Sequence, residues 1–137
     1  MAKSSIVAPE GATIQVPPDQ WISFLADFTR QNRGAHARLE ILGPGVGYQV
    51  ETEDRPFEGI AADVKDGEHN VWITFGDDPN NHLTHGVHNV SAIWVRLPTA
   101  TSGAAMEIEA HDGTKTLLEL SRPEDYALPP PEDARPS

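Results

Sequence analysis

From residue 36 to residue 120, apolar and polar side chains alternate in short segments that are separated by tight turns. A period of two is typical of strands with one buried face, and the Asp-Gly pairs at 66–67 and 112–113 are typical of hairpin turns. Connections this short leave no room for the crossovers that parallel strands need, so the pattern predicts an antiparallel sheet. The predicted strands are residues 36–42, 48–54, 57–64, 69–76, 90–98, 105–110 and 114–120.

Between residues 18 and 33 the apolar pattern changes to the period of an amphipathic helix. Pro18 suits the first turn of a helix, and Gly34 suits its C-terminal stop. The predicted fold class is therefore α+β, with an N-terminal amphipathic helix packed on an antiparallel sheet of six to seven strands. Curling into a small open barrel would protect the long edges of such a sheet. The side chains predicted to share the apolar helical face are Trp21, Ile22, Phe24, Leu25 and Phe28.

The chain has 137 residues, which is the length of one domain. We expect residues 1–16 to form an irregular lead-in and residues 17–121 to form a single α+β domain. The last 17 residues contain five Pro and four acidic residues, a composition that favours extended chain over a packed core. Residues 122–137 are therefore predicted to be a Pro-rich acidic tail.

The chain is acidic, with 21 Asp and Glu against 10 Lys and Arg and a net charge of −11. Nucleic acid and anionic membranes bind through basic surfaces, so we expect neither as a partner. The absence of Cys excludes disulfides and thiolate metal ligands. No apolar run approaches the roughly 18 residues of a membrane span. The first residues lack the apolar stretch of a secretory signal, so we expect a cytoplasmic protein.

Three histidines, His82, His85 and His88, follow Asp77 and Asp78 in the longest polar connection. Imidazoles bind divalent transition metals, and this density suggests a metal site. The spacing argues against a preformed site, because a strand would turn His85 away from the other two. We therefore favour a structural role without a cofactor, and keep a transition-metal site as the alternative.

Trp72 and Trp94 each lie in a predicted strand, and Trp72 falls on the face opposite Val71 and Ile73. An aromatic side chain on an otherwise polar face suggests a ligand groove or a subunit contact. The competing interpretation is that both faces of the sheet are partly covered. Glu107 and Glu109 form a same-face acidic pair, which we interpret as a solvated strand face.

The order of these segments resembles a family of small bacterial proteins whose function is unknown. The resemblance covers roughly residues 17–121 and implies one compact domain of helix plus antiparallel sheet, without implying a mechanism. The residues that carry it are Pro17-Pro18-x-x-Trp21-x-x-Phe24-Leu25, Arg55-Pro56-Phe57-x-Gly59-Ile60, His82-x-x-His85, and Ile108-Glu109-Ala110-x-Asp112-Gly113.

From the residues themselves, the favoured function is a small acidic, non-enzymatic binding or protein-interaction module. Trp72 and Trp94 are its candidate binding residues, and a partner protein or a second copy of the chain is its expected partner. The alternative is a metal-dependent or acid–base enzyme centred on His82, His85 and His88.

Overall fold

A computed structural model describes residues 11–45, 47–76, 80 and 82–121. A single 3-10 turn, Pro18–Gln20, leads into the helix α1, Trp21–Asn32. The strands of this part of the chain are Thr13–Gln15 (β1), His36–Gly43 (β2), Gly47–Lys65 (β3), Glu68–Phe75 (β4), Leu83–Val87 (β5), Val90–Arg96 (β6), Ala105–Ala110 (β7) and Lys115–Ser121 (β8).

The strands form one antiparallel sheet in the order β1-β6-β7-β8-β2-β3-β4-β5, and this confirms the predicted α+β fold. The described sheet has eight strands where six or seven were predicted, because Thr13–Gln15 and Leu83–Val87 add strands in the lead-in and in the polar connection. The strands predicted at 48–54 and 57–64 are instead two halves of one strand, β3. The sheet does not close into a barrel, since β1 and β5 remain its two end strands.

The two halves of β3 pair with different neighbours. The first half pairs with β2 as far as Pro56, and the second half pairs with β4 from Phe57 onward. Asp54, with φ of 61°, and a register shift between Phe57 and Gly59 mark the transition. Bulges of this kind bend a strand and increase its twist. Because β2 stops pairing at Pro56, the second half of β3 has one edge beside which the described residues place no strand.

The C-terminal end of α1 covers this edge of β3. The hydroxyl of Thr29 accepts a hydrogen bond from the amide of Ile60 and donates one to the carbonyl of Ile60, both over 2.9 Å. The amide of Phe57 donates to the carbonyl of Ala35, and the amide of Gly34 donates to the carbonyl of Phe57. The Thr29 side chain and the connection from α1 to β2 thus supply hydrogen-bond partners that a neighbouring strand would otherwise supply.

The apolar face of α1 is narrower than the sequence predicted. Trp21, Leu25 and Phe28 are buried, and the indole N–H of Trp21 donates to the carbonyl of Val16 over 2.9 Å. Ile22 is 62% exposed, so its placement on the buried face was wrong. A residue lies about 100° around a helix from its neighbour, which carries Ile22 past the edge of the face that meets β3.

The hairpin turns follow their predicted chemistry. Asp66 and Gly67 have φ of 53° and 80°, the pair of positive values that a tight two-residue turn requires. Gly113 has φ of 93°, and the amide of Thr114 donates to Oδ1 of Asp112 over 2.8 Å. Side-chain caps of this kind are a common way for Asp to stabilise a turn.

The buried apolar side chains of the described residues form one core, whose members run from Val16 to Leu120. Residues 13–15 of the expected lead-in pair with β6, whereas residues 1–10 and the tail at 122–137 lie outside the described residues. Within the described part, no helix has the length and apolar character that crossing a membrane requires.

We predict that Thr29→Val will lower the free energy of unfolding by about 1–3 kcal/mol, because it leaves the amide and the carbonyl of Ile60 without their partner. Thr29→Ser keeps the hydroxyl and should lose much less. Urea denaturation of the two variants beside the wild type measures the difference. A loss in Thr29→Ser as large as or larger than the loss in Thr29→Val would contradict the role given to the hydroxyl, and a loss in Thr29→Ser alone would show that the methyl group of Thr29 holds the helix.

Candidate functional site

A groove lies on the outer face of the sheet, which is the side of β6, β7 and β8 that points away from the core. Cross-strand pairing places Trp94 beside Glu107 and Glu107 beside Leu117. The next row places Arg96 beside Ala105 and Ala105 beside Glu119. We call this feature the Trp94 groove; it has a volume of about 260 Å³ and is lined by Thr13, Trp94, Arg96, Ala105, Met106, Glu107, Leu117, Leu118 and Glu119.

The groove exists because a small residue stands between longer ones. Ala105 on β7 forms the floor, with Trp94 and Arg96 of β6 on one side and Leu117 and Glu119 of β8 on the other. Strands β6 and β8 are two sheet spacings apart, which is roughly 10 Å. That width accommodates a side chain or one extended segment of chain.

Glu107 lies in the row of the groove that contains Trp94 and Leu117. Burial raises the pKa of Glu107 above its ordinary value, and hydrogen bonding to Glu109 and the charge of that neighbour raise it further. Lys115 opposes the rise, and its Nζ lies 4.0 Å from Oε2 of Glu109. The Glu107 carboxyl is therefore harder to ionise than a solvated one.

The cations near the groove already have partners. Arg96 donates to the carbonyl of Gly103 over 3.3 Å. On the neighbouring strand β2, Arg38 forms ion pairs with Glu40 and Glu53. Within the part of the chain that the structure describes, neither Glu107 nor Glu119 forms an ion pair with a Lys or an Arg.

Trp72 lies on the outer face of β4 and is not among the residues of the Trp94 groove. Its indole N–H donates to Oδ2 of Asp63 over 3.0 Å, and its ring meets the ring of His88 edge-on at 5.3 Å between centroids. A Cβ added to Gly86 would come within 2.4 Å of the Trp72 ring. The glycine therefore lets the indole lie flat against β5, and the side chain remains 36% exposed.

The three histidines have three different environments. Nε2 of His82 lies 2.7 Å from Oε1 of Glu58, a contact that lacks hydrogen-bond alignment. His88 contacts the Trp72 ring. Among the described residues, no group of three or more His, Asp and Glu side chains is arranged to hold a metal ion. Asp77 and Asp78, the proposed companions of these histidines, lie outside those residues.

His85 is half-buried on β5, in register with Ile73 of β4 and on the same side of the sheet as that core residue. Burial lowers the pKa of His85 below its ordinary value; His88 acts in the same direction and Glu51 opposes it. His85 thus favours its neutral form. Whether these histidines bind metal stays a prediction.

The sequence singled out Trp94 but not the side chains that face it. Alternation along each strand places Trp94 with Arg96, and Leu117 with Glu119, on one face. Alternation does not give the register between strands. It is the register that places Ala105 between Arg96 and Glu119.

The raised pKa of Glu107 predicts that the free energy of unfolding depends on pH. When the pKa of a carboxyl is higher in the folded protein than in the unfolded chain, folding favours its protonated form. The stability that this preference contributes is complete below the ordinary pKa of Glu and is lost as the pH rises through the raised pKa. Glu107→Gln cannot ionise, so its stability relative to the wild type should increase between about pH 4 and pH 7. We expect a difference of about 0.5 kcal/mol, because solvent screens a partly exposed carboxyl.

Thermal melts across this pH range measure the effect. Glu68→Gln removes a carboxylate from the exposed β3–β4 hairpin and controls for the change in net charge. An identical pH profile for the two variants would contradict the environment assigned to Glu107.

Comparison with known proteins identifies a family and names no activity. The chain is 25% identical over 121 residues to an uncharacterized protein of Aquifex aeolicus (strain VF5), a match that covers 88% of this chain and 99% of that protein. No solved structure matches the chain. The model of a family of unknown function, DUF5335, matches residues 12–130, which extends the resemblance beyond residues 17–121 at both ends. The chain belongs to the family of unknown function DUF5335.

Proposed function

We propose that this protein is a small, non-enzymatic binding module that receives a segment of a partner protein in the Trp94 groove. The observation that carries the proposal is the groove itself: a tryptophan, an aliphatic side chain and two carboxyl groups converge on one open face. Aromatic side chains are enriched where proteins bind one another, because they bury a large area at a small cost in conformational entropy.

The placement of the helix supports this proposal. The buried side chains of α1 join the core on the inner side of the sheet, where the helix packs against β3. Among the described elements, α1 makes its main contacts with β3 and none of comparable extent with β6, β7 or β8. A partner could therefore reach the outer face without any rearrangement of the helix.

Exposed apolar side chains extend the same face beyond the groove. Leu42 and Tyr48 are opposite each other on β2 and β3 and are 45% and 57% exposed. Val50, two residues along β3, is 41% exposed. Leu117 lies on the same face, with Glu40 between it and Val50 and with Lys115 beside Leu42. This mixture of apolar and charged side chains is typical of the surface around a protein-binding site.

A cytoplasmic partner fits the acidic, cysteine-free chain. A free thiol or a disulfide plays no part in the proposed contact, since the chain has no Cys. The same property makes the proposal accessible to experiment, because one introduced Cys is a unique attachment point for a photo-crosslinker.

We predict that a crosslinker attached through Leu117→Cys will form discrete adducts in extract of the host cell. Ala61→Cys is the matched control, since Ala61 is exposed on the outer face beside Trp72. Adducts should arise from position 117 and not from position 61. Trp94→Ala should reduce them several-fold in a protein that keeps its melting temperature.

Gel mobility and mass spectrometry of the adducts provide the measurement. The same adducts from positions 117 and 61, or adducts unchanged by Trp94→Ala, would contradict a partner site in the groove.

A further inference from the structure

We infer that the occupant of the Trp94 groove is a basic, extended segment of a partner protein, which places an Arg or Lys side chain between Trp94 and the carboxylates of Glu107 and Glu119. The inference rests on the proposed function and specifies the chemistry of its partner.

The shape of the groove suits a long cationic side chain. Trp94 forms one wall, and the small side chain of Ala105 on the floor leaves space above it. The methylene stem of an Arg or Lys side chain can therefore lie along apolar surface. A guanidinium or ammonium group gains attraction from the face of an indole ring. Glu107 is the cross-strand neighbour of Trp94, which places a carboxyl beside that ring.

The charges of the outer face favour a cation over an anion. Arg96 already donates to the Gly103 carbonyl, and Lys115 lies beside Glu109. Glu107 and Glu119 form no ion pair with a Lys or an Arg among the described residues. The charge of Lys115 acts on Glu107, and Arg38, the cross-strand neighbour of Glu119, is paired with Glu40 and Glu53. A ligand cation could therefore form the ion pairs that these two carboxyl groups do not make within the described chain.

The net charge of the chain points to the same occupant. At −11 the protein attracts basic segments over long range, and this attraction raises association rates. A second copy of the chain carries the same −11 and would meet repulsion. Charge complementarity thus favours a basic partner over self-association at this face.

The spacing of the carboxyl groups favours an extended segment. Glu107 lies in the row of Trp94, and Glu119 lies in the row of Arg96, two residues further along β6. Alternate residues of an extended chain are roughly 6.8 Å apart and point to the same side. A segment that runs along the groove with basic residues at i and i+2 can therefore reach both carboxyl groups.

The environment of Glu107 is consistent with this role. Burial and the neighbouring Glu109 raise its pKa, and Lys115 is the opposing cation in that environment. A bound cation in the groove would favour the ionised form of Glu107. Binding should accordingly weaken as the pH falls and the carboxyl groups of the groove become protonated.

The test is an NMR titration of the full-length, isotope-labelled protein with a blocked seven-residue peptide in which Arg alternates with Ala. A peptide with Gln at each Arg position is the control ligand. We expect the Arg peptide to shift the signals of Ala105, Leu117 and the Trp94 indole. Glu107→Gln and Glu119→Gln should each weaken binding about fivefold.

Glu68→Gln has the same change in net charge outside the groove and should leave the affinity within about twofold of the wild type. Equal binding of the Gln peptide, an equal loss of affinity in Glu68→Gln, or absence of shifts in the groove would each overturn the inference. Shifts of the groove signals with protein concentration, without peptide, would identify a second copy as the occupant and would also overturn it.

The two proposals fail in distinguishable ways. If crosslinks from position 117 persist while the Arg peptide does not bind, the groove is a partner site and the partner is not basic. If neither occurs, both proposals are wrong.

Discussion

The hydrogen bonds between Thr29 and Ile60 fix the relation between the helix and the sheet. β3 leaves β2 at Pro56 and continues as the neighbour of β4, so in the described part of the chain its second half has one side without a strand. A strand edge with unpaired backbone groups is costly when buried and invites aggregation when exposed. Thr29, in the last turn of α1, bonds the backbone of Ile60, and Gly34 and Ala35, in the connection from α1 to β2, bond the backbone of Phe57.

The helix packs on the inner side of the sheet. Leu25 of α1 belongs to the same core as the inward side chains of the strands, such as Ile108 and Leu118. The alternate side chains of the same strands point outward, and Glu107 and Leu117 are among them. The Trp94 groove thus results from the alternation of side chains along the strands and from the small side chain of Ala105.

Local patterns in the sequence were sufficient for much of the fold. The Asp66-Gly67 turn, the helix around Leu25 and the outward orientation of Trp72 all depend on residues close together in the chain. Strands β1 and β5 were missed because three to five residues show too little periodicity to identify a strand. The continuity of β3 was missed because Arg55-Pro56 has the composition of a break, whereas here it lies where pairing passes from β2 to β4.

The candidate site was predictable only in part. Trp94 was identifiable as an aromatic side chain in a strand, but the groove around it needs the register of β6, β7 and β8. Register is set by pairing between distant parts of the chain and cannot be read from any one strand. The same holds for Thr29, whose partner Ile60 is 31 residues away.

Amide hydrogen exchange of the wild-type protein tests most directly whether α1 replaces a strand along β3. The amides of Phe57 and Ile60 should exchange nearly as slowly as that of Leu118, which is fully buried in a central strand. Val64, further along β3 and 54% exposed, is the internal reference for an uncovered position. Exchange of Phe57 and Ile60 as fast as that of Val64 would contradict the account.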